Sequence, residues 1–353
     1  MTLFHELLSA DHAFNAKENT EMENIPSKPP LFSQAHRLWL NGGIVPWNAG
    51  TTNVFSHGLH YGSGVFEGIR AYKTAKGPGV FRLQAHLDRL FESAASYGMQ
   101  LPYSKQRLAE AVFQVMEANS LFGNSYIRPL CWYGAHDLGL TSRKWPMQVA
   151  VVAWEWGSIF GEEKTKEGIR VAIAPWKKIH SSMLPTTAKG CGQYLNSLLA
   201  AQYAVERGYD EALLLDIHGN IAEGPGENIF LVKDNRLLTN DQRSSILMGI
   251  TRQSIITIAT DLNIDVEIRP LVPNDLFSAQ EAFFTGTAVE IVPIREVDGV
   301  LIGTPNAERF VTKRIQQAFQ KITTGRNQAY RHWVEHNPFA EKDNTPELAL
   351  LAN

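Results

Sequence analysis

The chain has 353 residues, 44% of them hydrophobic and 20% charged, with a formal net charge of −3. At roughly 150 residues per domain the length predicts two soluble globular domains, and the near-neutral balance excludes a basic footprint for nucleic acid or an anionic membrane surface. Two cysteines, Cys131 and Cys191, show no CxxC spacing, which argues against a disulfide framework or structural zinc and fits a reducing cytoplasm.

No apolar run approaches the ~18 residues needed to span a bilayer. The first 36 residues lack arginine and carry several acids, unlike a secretory signal or transit peptide. Residues 1–35 read as a loosely ordered leader, polar and acidic from Asp11 and closing on SKPP. LWLNGGIVPW (38–47) flanks Asn-Gly-Gly with apolar runs and predicts a hairpin. GVFRL (79–83) predicts a strand leading into a helix with Leu83, Leu87, Leu90, Phe91 and Ala94 on one face. MQVAVVAWEW (147–156) reads as a buried strand, GSIFGEEKTKEG (157–168) as a charged interdomain link, and IRVAIAPW (169–176) as a new strand. Hairpins follow at EALLLDIHGNIAEG (211–224) and ENIFLVKDNRLLT (227–239). A helix opening at Gly249-Ile250-Thr251 carries Ile255, Ile258, Ala259 and Leu262, and EAFFTGTAVEIVPI (281–294) reads as a strand, a tight Thr-Gly-Thr turn and a further apolar element. The pattern predicts an α+β protein: a smaller domain over 36–156, a larger one over 169–325, a tail over 326–353, and an active site between the domains.

Several motifs fail as familiar signatures. GSGVFEG (62–68) has glycines at the wrong spacing for a dinucleotide fingerprint and no strand before it. His57 and His60 in HGLH lack a completing acidic ligand, so packed, hydrogen-bonded histidines are expected and no metal. PTTAKGCGQY (185–194) is different. Lys189 stands among small and polar residues with no acid in that stretch, and Gly190 and Gly192 would let backbone approach a flat or phosphorylated ligand.

Three stretches offer an anion site. SILMGIT (245–251) brings a glycine and a threonine to a helix N-terminus, TGTA (285–288) makes a nest of amides and hydroxyls, and Arg82 adds a charge. Singly, each is an ordinary cap, turn or surface arginine; with an isolated lysine they suggest a phosphorylated carbonyl cofactor captured as a Schiff base. EGPGENIF (223–230) supplies Glu223 and Glu227, either of which could face a pyridine nitrogen, and Tyr194 could donate to the ring oxygen.

HGLHYGSGVFEGIRAY, VFRLQAHLDRL, YIRPL, PTTAKGCGQYLNSLLA, EGPGENIF, MGITR, FFTGTAVEIVPI and VTKRIQQAF, in this order, resemble the branched-chain amino-acid aminotransferases, which are fold-type IV enzymes dependent on pyridoxal 5′-phosphate. The resemblance implies the D-amino-acid aminotransferase-like fold of two α/β domains. It also implies transfer of an amino group between L-leucine, L-isoleucine or L-valine and 2-oxoglutarate, in a homodimer or higher homo-oligomer. It casts Lys189 as the lysine that holds the cofactor and shuttles a proton, Glu223 as partner of the pyridine nitrogen, and Tyr194 as partner of the phenolic oxygen. Arg82, Ile250, Thr251 and Thr287 would hold the phosphate, and Leu247 would belong to the same cofactor site. The substrate α-carboxylate is expected at Thr287 and Ala288. Phe66, Gly68, Tyr61 and Trp156 would line the side-chain pocket, with Arg128 and Tyr61 receiving the distal carboxylate of glutamate. Two departures stand out: Ile159 occupies a position where bacterial relatives commonly have tyrosine, and Gly190-Cys191-Gly192 replaces Ala-Gly-Gly. A D-amino-acid aminotransferase or an aminodeoxychorismate lyase of the same fold is the alternative, with a non-catalytic cofactor-binding protein behind it.

Overall fold

The computed structural model describes residues 35–140, 145–304 and 308–338; the expected leader up to residue 34 and the end of the expected tail lie outside them. Among the described residues two eight-stranded sheets organise the chain. The first takes seven strands from Arg37–Leu40 through Met147–Glu155 and its eighth from Val334–Glu335, and the second takes its strands from Ile169–Lys177 through Val300–Leu301. The chain therefore crosses between sheets within 157–168, where the charged link contains a short helix, Gly161–Glu167. Glu162 and Glu163 in its first turn and Lys164 and Lys166 in its last complement the helix dipole.

In the first sheet, Arg37–Leu40 and Gly43–Pro46 form the expected hairpin, with Asn41 and Gly42 at φ 47° and 109° supplying the tight turn. The strand expected over 79–83 is instead Gly77–Phe81, because Arg82 turns left-handed at φ 54° and helix Leu83–Ser96 begins at once. That helix and Lys105–Ala118 bury Leu83, Leu87, Leu90, Leu108, Val112 and Val115 in one core with Trp39, Ile69 and Val149; Phe91 is only partly buried. The apolar stripe faces the sheet, which leaves the adjoining positions His86, Arg89 and Ser93 free to point elsewhere.

In the second sheet the strand order is Val266–Ile268, Arg236–Thr239, Asn228–Lys233, Glu281–Gly286, Glu290–Val297, Ile169–Lys177, Glu211–Leu215. Helices Tyr194–Glu206, Ile250–Asp261 and Phe310–Thr323 accompany it. The hairpin expected over 211–224 has one full strand, Glu211–Leu215; its return arm makes only an isolated bridge at Ile221. Asp216 fixes the turn by accepting from the amides of His218 (2.8 Å) and Asn220 (2.9 Å), and Leu214 N donates to Glu223 O at 2.9 Å. This irregular arm delivers Glu223 to the end of the sheet.

The segment set apart as a tail returns to the first sheet. Val334–Glu335 pairs antiparallel with Gly77–Phe81, because Tyr330, Trp333 and Val334 are apolar enough to be buried there. A single core unites Tyr72 and Phe81 from the first half with Phe230, Phe283, Phe319 and Trp333 from the second. Buried apolar surface at about 25 cal/mol per Å² thus holds the two sheets against each other.

Candidate active site

Lys189 follows the second sheet's first strand in sequence but is tied to the first sheet in space. Its carbonyl accepts from Phe66 N at 3.1 Å, its amide donates to Ser93 Oγ at 2.9 Å, and Gly190 bridges Val65. The Lys189 ammonium Nζ donates to Tyr194 Oη at 2.5 Å and lies 4.9 Å from the Phe66 ring centre. Burial, with the Arg89 charge beside it, brings the Lys189 pKa down to about 8, Glu67 and Tyr126 opposing. Burial pushes the Tyr194 phenol up to about 12, so it stays neutral. Gly190 serves packing and not ligand approach: a Cβ there would lie 2.4 Å from Tyr97 Oη.

The cleft beside Lys189 is lined by Arg89, Lys178, Tyr194, Glu223, Glu227, Asn228, Leu247, Ile250, Thr251 and Thr287, among others. Glu223 is buried, paired with Lys178 Nζ at 2.7 Å through Oε1, while Oε2 accepts from Asn228 Nδ2 (3.1 Å) and Leu247 N (3.0 Å). The Leu247 amide is therefore committed to holding Glu223. Glu227, the alternative carboxylate, accepts from Gly226 N at 2.9 Å, and burial raises its pKa to about 7.

At the other end of the cleft, helix Ile250–Asp261 opens after Gly249, so the first-turn amides at Ile250 and Thr251 have no partner within the helix. Arg89 stands beside them, its Nη1 donating to Met248 O at 3.4 Å. Its Nε and Nη2 clasp the Glu67 carboxylate at 2.6 and 2.8 Å, and His86 Nδ1 adds a 2.8 Å contact. Burial alone would raise the Glu67 carboxyl; Arg89 and His86 outweigh it and hold it far below the usual carboxylate range.

Arg82 is not brought to this site. From the left-handed turn its guanidinium lies over Trp333 at 4.6 Å and donates to the buried Ser254 Oγ at 3.4 Å, and it does not line the cleft. Arg89, two helical turns further on, takes the place foreseen for Arg82. The sequence carried a signal: His86, Arg89 and Ser93 are polar residues at helical spacing along the edge of an otherwise apolar helix face.

A continuous wall leads outward from Lys189. Phe66 meets Tyr194 edge-on at 4.7 Å, and Arg128 lies 4.7 Å above the Phe66 ring and donates to Tyr126 Oη at 3.2 Å. The Arg128 Nε is buried without a partner among the described residues. Trp156 packs 5.4 Å from Tyr126 and donates from Nε1 to Ala288 O at 3.5 Å, which closes the wall against the Gly286–Thr287 turn. Gly68 is obligatory, since a Cβ would collide with Tyr126 Oη at 1.9 Å. Tyr61 stands apart: it is half exposed, meets the His57 ring at a tilt and donates to Leu138 O at 3.1 Å. Within one chain Tyr61 does not reach Arg128. His57 and His60 engage Ser63 Oγ and Val54 O, and the described residues contain no metal-ligand cluster.

The cleft thus combines a buried amine of lowered pKa, the free amides of a helix end beside an arginine, and a buried carboxylate and a phenol. Such a set can capture a carbonyl carbon, hold a phosphate and hold a protonated ring nitrogen. The family profile of the class IV amino-transferases matches residues 64–297, a span that contains Lys189, Glu223 and Thr287. The chain belongs to the class IV aminotransferases. It is 43% identical over 296 residues to the branched-chain-amino-acid aminotransferase of Pseudomonas aeruginosa, covering 84% of this chain and 95% of that one. With the Escherichia coli K12 enzyme of the same name it shares 41% over 303 residues, 86% of this chain and 97% of the other. The crystal structure of the Escherichia coli enzyme superposes with a TM-score of 0.83 over 86% of this chain and 99% of that one, at 41% identity. The T.th. branched-chain amino acid aminotransferase with pyridoxamine 5′-phosphate gives 0.82 at 42% identity, covering 86% and 98%.

Proposed function

We propose that the chain is a branched-chain amino-acid aminotransferase that reversibly moves an amino group between L-leucine, L-isoleucine or L-valine and 2-oxoglutarate, with pyridoxal 5′-phosphate as cofactor. One observation carries the reading: Lys189, Tyr194, Glu223 and the N-terminus of helix Ile250–Asp261 line a single cleft, in a chain over 40% identical to enzymes of that name. The donor set fits the cofactor. Arg89, the Ile250 and Thr251 amides and the Thr251 and Thr287 hydroxyls would hold the phosphate, Glu223 the ring nitrogen, and Tyr194 the ring oxygen. When bound, pyridoxal 5′-phosphate supplies an electrophilic aldehyde and a ring that accepts electrons from the substrate Cα–H bond.

This chain's residues perform the rest. Lys189 Nζ, with a pKa near 8, is close enough to neutral to take a proton from the substrate Cα and return one. The Thr287 and Ala288 amides receive the α-carboxylate, and the Ala288 carbonyl, held by Trp156 and Arg70, orients that turn. Phe66, Trp156 and Tyr126 offer apolar walls to an isobutyl or sec-butyl group, while the Arg128 guanidinium above Phe66 offers a charge to the distal carboxylate of glutamate. The two substrates take turns in the same pocket. Tyr61, lying beside the exposed Val54, Phe55 and Leu59, supports a homo-oligomer in which a second copy covers this face. Among the described residues no helix is long and apolar enough to cross a membrane, and the two unpaired cysteines support a reducing cytoplasmic setting. The test is an amino-donor panel with 2-oxoglutarate as acceptor: L-leucine, L-isoleucine and L-valine should serve, and turnover with D-alanine in their place would favour a D-amino-acid aminotransferase.

A further inference from the structure

The cleft holds a second buried lysine, and the reaction described above uses only one. Lys178 directly follows strand Ile169–Lys177, where the pairing with Glu211–Leu215 slips in register. Its amide donates to Leu215 O at 2.8 Å. The backbone of Lys178 is thus pinned to the strand whose return arm carries Glu223. The side chains of Lys178 and Glu223 are 10% and 6% exposed and meet at 2.7 Å. Both carboxylate oxygens of Glu223 are engaged from three directions: Lys178 on Oε1, and Asn228 and Leu247 on Oε2. Such an arrangement leaves the carboxylate no freedom to rotate.

We propose that Lys178 is a positioning residue for the cofactor's ring nitrogen: it fixes the Glu223 carboxylate and keeps it an anion, so that the proton shared with the ring rests on nitrogen. The inference rests on the reading of Glu223 as the ring partner. The charges around the pair make the need plain. Glu227 from the next turn brings no positive charge, its own carboxyl being raised by burial and by Glu223, and Tyr194 from the facing helix is neutral. Arg252 on helix Ile250–Asp261 adds a cation, but it spends its Nη2 on the Asn240 carbonyl, and Lys189 is bound to Tyr194. A buried carboxylate without its direct cation takes up a proton. Glu223 would then meet the ring as an acid, and the ring nitrogen would lose its positive charge. Burial disfavours the Lys178 ammonium, yet the contact with Glu223 outweighs it and raises its pKa, so the cation persists through neutral pH.

Difference infrared spectroscopy of the cofactor-free protein, with Glu223→Gln to assign the band, reads this pair without turnover. Lys178→Met should gain, on top of the protonated-carboxyl signal of the buried Glu227 and Glu211 that all variants share, a Glu223-dependent band at pH 7 that wild type and Lys178→Arg lack and that vanishes in Lys178→Met/Glu223→Gln. In a second arm, pyridoxamine 5′-phosphate bound to Lys178→Met should lose its ring-nitrogen proton at a pH lower by about two units than in wild type, with Lys178→Arg restoring it. A folded Lys178→Met with no new band, or an unshifted ring titration beside a new band, overturns the proposal. Should Lys178→Met not fold, wild type decides alone: a Glu223-dependent protonated band at pH 7 refutes it, and its absence together with an Arg variant of native spectrum supports it. If the infrared arm succeeds and Glu223→Gln leaves the ring titration unchanged, the fault lies in the assignment of Glu223 to the ring and not in the Lys178–Glu223 pair.

Discussion

Arg89 and Arg82 sit seven residues apart on the same stretch, and the structure gives them opposite predictions. Arg89 is clasped by a fully buried Glu67, so Arg89→Met alone strands that carboxylate, and breaking a buried pair costs about 3–5 kcal/mol of stability. The informative variant is Glu67→Gln/Arg89→Met, which removes both charges, with Glu67→Gln alone as the control. A phosphate that loses a desolvated guanidinium loses ~2–4 kcal/mol of binding, so the Kd for pyridoxamine 5′-phosphate should rise about 30- to 1000-fold in the double variant. Arg82 contributes a stacking contact over Trp333, worth ~0.5–1 kcal/mol to stability. Arg82→Met should move the Kd by less than about threefold. Equilibrium titration of the cofactor-free protein, monitored by absorbance, measures all four proteins. A larger loss in Arg82→Met than in the double variant would refute the placement of the phosphate between Arg89 and the helix end.

Lys189→Ala should retain phosphate-mediated affinity for pyridoxamine 5′-phosphate while steady-state transamination disappears; near wild-type turnover without added amine would remove Lys189 from the proton transfer. Arg128→Met should lower kcat/KM for glutamate by ~2–5 kcal/mol and for leucine far less, whereas Ile159→Tyr should shift the ratio toward glutamate; equal losses for both donors in Arg128→Met would show that Arg128 supports the fold instead of reading the distal carboxylate. Glu227 has a folded pKa raised to about 7 from 4.5, so the native state keeps a proton that the unfolded chain releases, and stability falls as pH rises between those values. Thermal melts of Glu227→Gln should therefore gain on wild type between pH 5 and pH 8, and a constant difference across that range would count against a protonated Glu227.

Much of the architecture was legible because periodicity and turn chemistry agree with the final packing. LWLNGGIVPW, MQVAVVAWEW and ENIFLVKDNRLLT each carry their own turn or apolar run, and each forms the expected strand or hairpin. The errors came where tertiary geometry decides. Arg82 and Arg89 are indistinguishable by charge, and only the left-handed turn at Arg82 and the helix phase set which one faces the cleft. The glycines beside Lys189 suggested ligand approach, yet Gly190 answers to Tyr97, far earlier in the chain. The return of Val334–Glu335 to the first sheet depends on Trp333 and Tyr330 finding Phe81 and Phe319, a pairing no local pattern encodes. Nothing in the local pattern Trp176-Lys177-Lys178 marks Lys178 for burial, and it lies where the strand pairing slips in register.

The way Lys189 is anchored divides the work of the two sheets. The amine belongs by sequence to the second half, but its backbone is bonded to Phe66 and Ser93 and so is held by the first half. Phe66, Tyr126, Arg128 and Trp156, the walls of the proposed side-chain pocket, come from the first half as well. Glu223, Leu247 and the helix end, which we propose cradle the cofactor, come from the second. The distance from amine to side-chain pocket is therefore set by backbone bonds within the first half, while the distance from amine to cradle is set by the packing of the two sheets through Tyr72, Phe81, Phe230 and Phe319. Substitutions in the proposed pocket can then change which side chain is accepted without displacing the Lys189 nitrogen. A cavity in the shared core would shift that nitrogen relative to the cradle, and a displacement of about 1 Å is enough to cost two orders of magnitude in rate.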